Sequence, residues 1–203
     1  MTAGTLHARF VARRRAQVLA RWIAPLLPPS ASVLDLGAGD GYLGRLIAEQ
    51  LPDIDICGVD VVARAESHVP ILQFDGERAP FADGSFDAVI VADVLHHAEV
   101  PAALFAEGVR LARKVVIVKD HICETRLDRM ILRFMDRISN ARYGVPLPYN
   151  YLSRREWEAL FRGAGPVISW NGRLGLYPWP ASMLFDRSMH FLAAIGVEKG
   201  GRA

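Results

Sequence analysis

Asp35 heads a run of glycines at every second position, Gly37, Gly39 and Gly41, and Asp60 follows some way downstream. Glycine lets a backbone turn tightly and bring its N–H groups close to a ligand, where they can meet a carboxylate or a phosphate. An acidic side chain about 20 residues further on can accept from ribose hydroxyls. That is the chemistry of binding a nucleoside-bearing cofactor. Gly39-Asp40-Gly41-Tyr42-Leu43-Gly44 also fits the dinucleotide pattern, but it begins late, because Gly37 already follows the apolar run. Asp35 would oppose a pyrophosphate and suits a cationic amino-acid group.

Two histidine pairs supply candidate proton acceptors, His96-His97 and Asp120-His121. Each follows an apolar run, so both belong to the same rim of a sheet. Histidine titrates near neutrality, which fits a general base for an alcohol or phenol. His97 and His121 are the expected catalytic pair, with His96 and Asp120 beside them on the acceptor side. No metal is expected, because the histidines lack carboxylate partners at ligand spacing.

The elements that must position these groups follow from periodicity. Val33 to Leu36 reads as a buried strand, and Leu43, Leu46, Ile47 and Leu51 repeat at helical spacing, so the glycines sit in a strand-to-helix turn. Further strands are expected at about 54–60, 71–75, 86–94, 114–119, 167–170 and 190–197. A helix at about 100–112 stands between two of them. Strands alternating with helices predict an α/β, doubly wound, mostly parallel sheet. Leu127, Met130, Ile131, Phe134, Met135 and Ile138 form an apolar stripe, from which Met130, Phe134 and Met135 are expected to close over an acceptor. A loop with Gly144, Pro146 and Pro148 leads to Tyr149-Asn150-Tyr151, whose phenols and amide are candidate acceptor contacts. Ser153 and Glu156 have the form of a capping box opening the next helix.

With 203 residues, the chain is expected to be one domain: an opening helix over 1–30, a cofactor half over 30–120 and a substrate side over 121–203. Its composition is 51% apolar and 23% charged with net charge +2, which fits a globular protein and gives no reason to expect nucleic acid. Cys57 and Cys123 are too few and too far apart for a disulfide framework, and a cytoplasmic location is expected. No acidic residue precedes Asp35, whereas Arg9, Arg13, Arg14, Arg15 and Arg21 do. With Val11, Val18, Leu19, Trp22, Ile23 and Leu26 at helical spacing, this segment reads as a basic amphipathic helix able to touch a membrane surface or an anionic substrate.

Several blocks together resemble a known family. These are Val33 through Gly41, Gly58-Val59-Asp60, Phe74 through Glu77, Ala79 through Asp87 and Val91 through His97, in that order across residues 30–120. The chain resembles the class I S-adenosylmethionine-dependent methyltransferases of the type 11 kind. The resemblance implies a Rossmann-like sheet of seven strands with the last antiparallel and helices on both faces. It also implies a cofactor set of Asp35, Gly37, Ala38, Gly39, Gly41, Asp60, Val61, Asp75, Gly76, Ala92, Asp93 and Val94. Of these, Asp35 and the glycine turn would hold the methionine part, Asp60 the ribose, Asp75 with Gly76 the adenine side, and Ala92 to Leu95 the methyl-bearing end. The proline-rich fourth-strand variants of base N-methylating enzymes are absent, so oxygen or carbon of a small hydrophobic or lipid-like acceptor is expected. Two other readings are a nicotinamide-dependent reductase using the same crevice and a non-catalytic cofactor-binding module that engages a partner or a membrane.

Overall fold

The computed structural model describes residues 3–62, 64–140, 148–186 and 188–198. Seven strands form one sheet: β1 (Ser32–Leu36), β2 (Asp55–Asp60), β3 (Ile71–Gln73), β4 (Phe86–Ala92), β5 (Ala112–His121), β6 (Val167–Asn171) and β7 (His190–Gly196), in the order β3-β2-β1-β4-β5-β7-β6. β1 pairs in parallel with β2 and β4, β2 with β3, and β4 with β5. β7 runs antiparallel to both β5 and β6. This is the doubly wound sheet with an antiparallel last strand that the sequence led us to expect.

Alternation along the strands divides the core in two. On one face Val33, Ala88, Ile90, Val115, Ile117 and Leu192 pack with Leu19 and Ile23 of α1 (Ala3–Ile23) and Ile47 of α2 (Tyr42–Gln50). Leu132 and Met135 of α4 (Arg126–Asn140) join that layer. On the other face Leu34, Leu36, Val89, Val91, Val116 and Phe191 pack with Leu104 and Phe105 of α3 (Pro101–Leu111) and with Trp157 and Phe161 of α5 (Arg154–Arg162). A short α6 (Ser182–Phe185) lies before β7. The α5 cap forms as anticipated: the Ser153 hydroxyl accepts from the Glu156 N–H, and the Glu156 carboxylate accepts from the Ser153 N–H at 2.7 Å.

Two expectations need correction. The apolar stripe on α4 does not turn inward as one face. Ile131 and Met135 are buried, but Leu127, Met130 and Phe134 are exposed, because Leu132 and Asp136 occupy the inner face instead. β5 is also longer than expected, running from Ala112 through His121 with Lys119 and Asp120 fully buried. Gly144 and Pro146 lie outside the described residues. The strand order reverses between β1 and β4, and their carboxyl ends open the crevice where α/β sheets bind ligands.

Candidate functional site

β1 delivers the buried Asp35 into the turn before α2, and the turn's shape is set by glycines. Gly37 has φ +86°, and a Cβ there would lie 2.4 Å from Val94 Cγ2. Gly41, which caps α2, has φ +74°, and a Cβ there would lie 2.7 Å from Val69 Cγ2. No other L residue fits either position without displacing a neighbour. The Gly37 and Ala38 N–H groups donate to the Val59 carbonyl, tying the turn to the end of β2. Asp60 closes that link, accepting from the Gly39 N–H at 2.7 Å and the Val62 N–H at 2.9 Å. Burial, and then the neighbouring Asp60 charge, push the Asp35 carboxyl up to about 7.

A cavity of about 880 Å³ opens over this turn. Asp35, Gly37, Ala38, Gly39 and Asp40 line one end; Ala92, Asp93, His96, His97, His121, Met135 and Asp136 line the other. Ala12, Arg13, Arg15 and Ala16 of α1 also line it. Asp60, Val61, Asp75, Gly76 and Val94 do not line this cavity. Val61 and Gly76 are neighbours, since a Cβ on Gly76 would lie 3.1 Å from Val61 Cγ1. Asp75 is exposed and accepts from the Glu77 and Arg78 N–H groups, which hold its carboxyl below the usual range. Val94 acts as the wall against which Gly37 packs.

The acceptor-side candidates separate into three groups. His96, His97, His121 and Asp120 come together. The His96 Nδ1 lies 2.6 Å from Asp120 Oδ1, and the His96 ring lies 3.9 Å from that of His97 and 4.7 Å from that of His121. Tyr149, Asn150 and Tyr151 brace the site without lining the cavity. Asn150 donates to the Ala98 and Glu99 carbonyls, Tyr149 lies under Arg133, and the Tyr151 hydroxyl donates to Asp136. Of the three α4 residues expected to close over an acceptor, Met135 lines the cavity, whereas Met130 and Phe134 are exposed at 64% and 59% and do not line it.

Charge in this region is dense and paired. Asp93, at φ +58°, accepts from Arg15 at 2.9 Å and from the fully buried Lys119. Burial would raise the Asp93 carboxyl, yet Lys119 and Arg15 hold it well below the usual carboxylate range. Burial alone would lower His96, but Asp120 and then Asp136 favour its protonated form and raise it. His97 is pushed down to about 4 by burial and by His96, and His121 is lowered by burial and by Lys119. His96 Nε2 and His121 Nδ1 are buried without a hydrogen-bond partner.

The sequence spacing argument against a metal does not survive folding. Ligand-type atoms of His96, Asp120 and His121, and those of His96, His97 and Asp136, each gather within 4.8 Å. Both carboxylates, however, already serve the protonic network: Asp120 accepts from the Leu95 and His121 N–H groups and faces His96, while Asp136 takes the Tyr151 hydroxyl. Asp136 and Lys119 were not singled out as site residues from sequence, and Arg15 only as one cation of the basic opening helix. A usable signal existed for Asp136, which stands four residues after Leu132 and so on the inner face of α4.

A family model described as a methyltransferase domain matches residues 8–167. The chain is 30% identical over 163 residues to the demethylmenaquinone methyltransferase of Beutenbergia cavernae, covering 68% of each protein. It is 35% identical over 91 residues to that of Thermus thermophilus, covering 39% of each. Among solved structures, a chain in the complex between the Haloferax volcanii Trm112 methyltransferase activator and a methyltransferase superposes with a TM-score of 0.66 at 17% identity. That superposition covers 94% of this chain and 93% of the other, and at this identity it speaks for the fold. The family match spans most of the chain and the sheet order agrees with it, so the chain belongs to the class I methyltransferases.

Proposed function

We propose that the chain transfers a methyl group from S-adenosylmethionine to the oxygen or ring carbon of a small acceptor that joins a hydroxylated head to an apolar body, as in a quinol. One observation carries this reading: a single cavity reaches from Asp35 and the glycine turn to His96, His97 and His121. The donor end fits the cofactor, since Gly37, Ala38 and Gly39 line it with little more than backbone and Asp35 offers a carboxylate to an ammonium group. When bound there, the cofactor supplies an electrophilic methyl group.

The protein's part is alignment and proton handling. Alignment of two reactants can contribute about 7–11 kcal/mol. Asp120 accepts a hydrogen bond from His96 Nδ1, which leaves Nε2, 3.5 Å from Asp136 Oδ2 and without a hydrogen bond, as the ring nitrogen that takes the proton of an acceptor hydroxyl. Among the three histidines, His96 suits this role better than His97 and His121, whose lowered affinities make them weaker bases at neutral pH. The resulting oxyanion attacks the methyl directly, or attacks through the adjacent ring carbon, which then loses its own proton to solvent while His96 returns one to the oxygen. The wall around it is more polar than a purely greasy acceptor would require, which favours a hydroxylated head. The relatives named demethylmenaquinone methyltransferases support the same acceptor class. The family membership leaves the nicotinamide-reductase reading without support.

Labelled methyl transfer tests the proposal. Tritiated S-adenosylmethionine incubated with reduced naphthoquinones of increasing tail length is expected to label the ring compounds. Label on none of them, despite cofactor binding, would overturn the acceptor class. Failure to bind the cofactor would overturn the donor assignment.

A further inference from the structure

α4 carries two stripes on its outer face. Leu127, Met130 and Phe134 are 46%, 64% and 59% exposed and are spaced three and four residues apart, so they share one line along the helix. Arg126, Arg129, Arg133 and Arg137 form the adjacent line, and all four are exposed. Asp128, the one acid of this helix outside the inner face, is taken up at its start, accepting from the Glu124 and Thr125 N–H groups. The outer face therefore presents apolar side chains edged by unbalanced positive charge. This is the pattern of a helix that lies in a lipid headgroup layer.

Position reinforces the pattern. Met135 and Asp136 of α4 and Ala12, Arg13 and Arg15 of α1 line the same cavity, so the two helices both wall it. α1 adds an exposed Phe10, at 62%, and an exposed Arg13. No helix among the described residues is long and apolar enough to cross a membrane, so contact would be with a surface.

We propose that the outer face of α4 docks on an anionic lipid surface and brings the helix that walls the cavity against it. The Arg126, Arg129, Arg133 and Arg137 side chains meet the headgroup phosphates, while Leu127, Met130 and Phe134 enter the boundary of the acyl region. Vesicle binding requires no turnover, so this proposal stands whether or not the acceptor is quinol-like.

The test is co-sedimentation of the full chain at physiological salt with vesicles of phosphatidylglycerol mixed with phosphatidylcholine, or of phosphatidylcholine alone. The chain is expected to pellet with the anionic vesicles and to bind the neutral ones at least about tenfold more weakly. Two variants, R126Q/R129Q/R137Q and M130S/F134S, are each expected to lose about tenfold or more in affinity for the anionic vesicles. Both should keep the wild-type melting temperature and S-adenosylhomocysteine affinity, because none of the substituted residues lines the cavity. A third variant, R13Q/R14Q, separates the contribution of α1. Equal binding to both vesicle types would overturn the proposal, as would undiminished binding by M130S/F134S. So would loss confined to R13Q/R14Q. A chain that stays in the supernatant with every vesicle would point to an acidic protein on this face and would equally overturn it.

Discussion

The donor end of the cavity is shaped by backbone, and the acceptor end by side chains drawn from distant parts of the chain. At the donor end, Gly37, Gly39 and Gly41 lie within one turn, fastened by N–H groups to Val59 and Asp60. At the acceptor end, His96 stands after β4, Asp120 and His121 end β5, Asp136 comes from α4, and Tyr151 precedes α5. At Gly37 and Gly41 the first arrangement has no room for an added atom. The second is sensitive to proton position. Damage to the two ends should therefore differ in kind: steric changes should remove cofactor binding, whereas charge changes should spare binding and slow the reaction.

The largest effect is expected for Gly37→Val. The residue would take a left-handed φ and press its side chain on Val94, a combined cost of about 2–5 kcal/mol. Calorimetry should show cofactor binding abolished, and Val94→Ala should restore only part of it, since the strain at φ +86° remains. Full restoration would mean that the clash alone matters.

Asp120→Asn should lower kcat by about 10²–10⁴-fold while leaving cofactor affinity unchanged. It also tests Asp120 as a positioning residue through the pH profile. His96 must be neutral to accept a proton, so wild-type activity falls as pH drops through its raised value. His97, Asp93, His121, Asp136 and Tyr151 also face this ring, and Asp120 and Asp136 raise it most. Removing the Asp120 charge should move the acid limb of the kcat profile to lower pH. An unmoved limb would make Asp120 a purely structural group.

Asp35→Asn should weaken cofactor binding by about 1.5–3 kcal/mol. In the wild type, affinity should rise as pH passes upward through about 7, where Asp35 becomes ionised; the asparagine variant should lose that dependence. The sign for stability is opposite. Asp35 is raised in the folded chain, so its ionisation costs stability as pH rises from the ordinary carboxylate range toward 7. The unliganded variant should therefore melt higher than the wild type at pH values above 7. Equal melting temperatures there would show that burial of the charge costs nothing.

The smallest effect is expected for Tyr151→Phe. Losing the hydroxyl on the buried Asp136 should cost about 1–3 kcal/mol in urea unfolding with cofactor binding unaffected. A loss of cofactor affinity would tie the acceptor network to the donor end more closely than the geometry allows.

The same contrast explains what could be read from the chain alone. The donor end was legible because Asp35, the glycines and Asp60 act through local backbone conformation and a strand-to-strand hydrogen bond. The sheet was legible because strands covered on both faces are continuous apolar runs. The capping box at Ser153 was legible for the same local reason. The α4 stripe misled because periodicity reports which residues share a face, not which of two partly apolar faces finds a partner. Asp136 escaped notice, and the pairing of Arg15 with Asp93 could not be read, because the partners are remote: Arg15 meets Asp93 from 78 residues away. The histidines were legible as a rim cluster, but their division of labour depends on Asp120, Asp136 and Lys119 in space.

Calorimetric titration of S-adenosylhomocysteine into the wild type, Gly37→Val and Asp120→Asn tests the two-ended site most directly. The account predicts micromolar binding by the wild type, none by Gly37→Val and wild-type binding by Asp120→Asn. Absence of binding by the wild type, or its loss in Asp120→Asn, would contradict it.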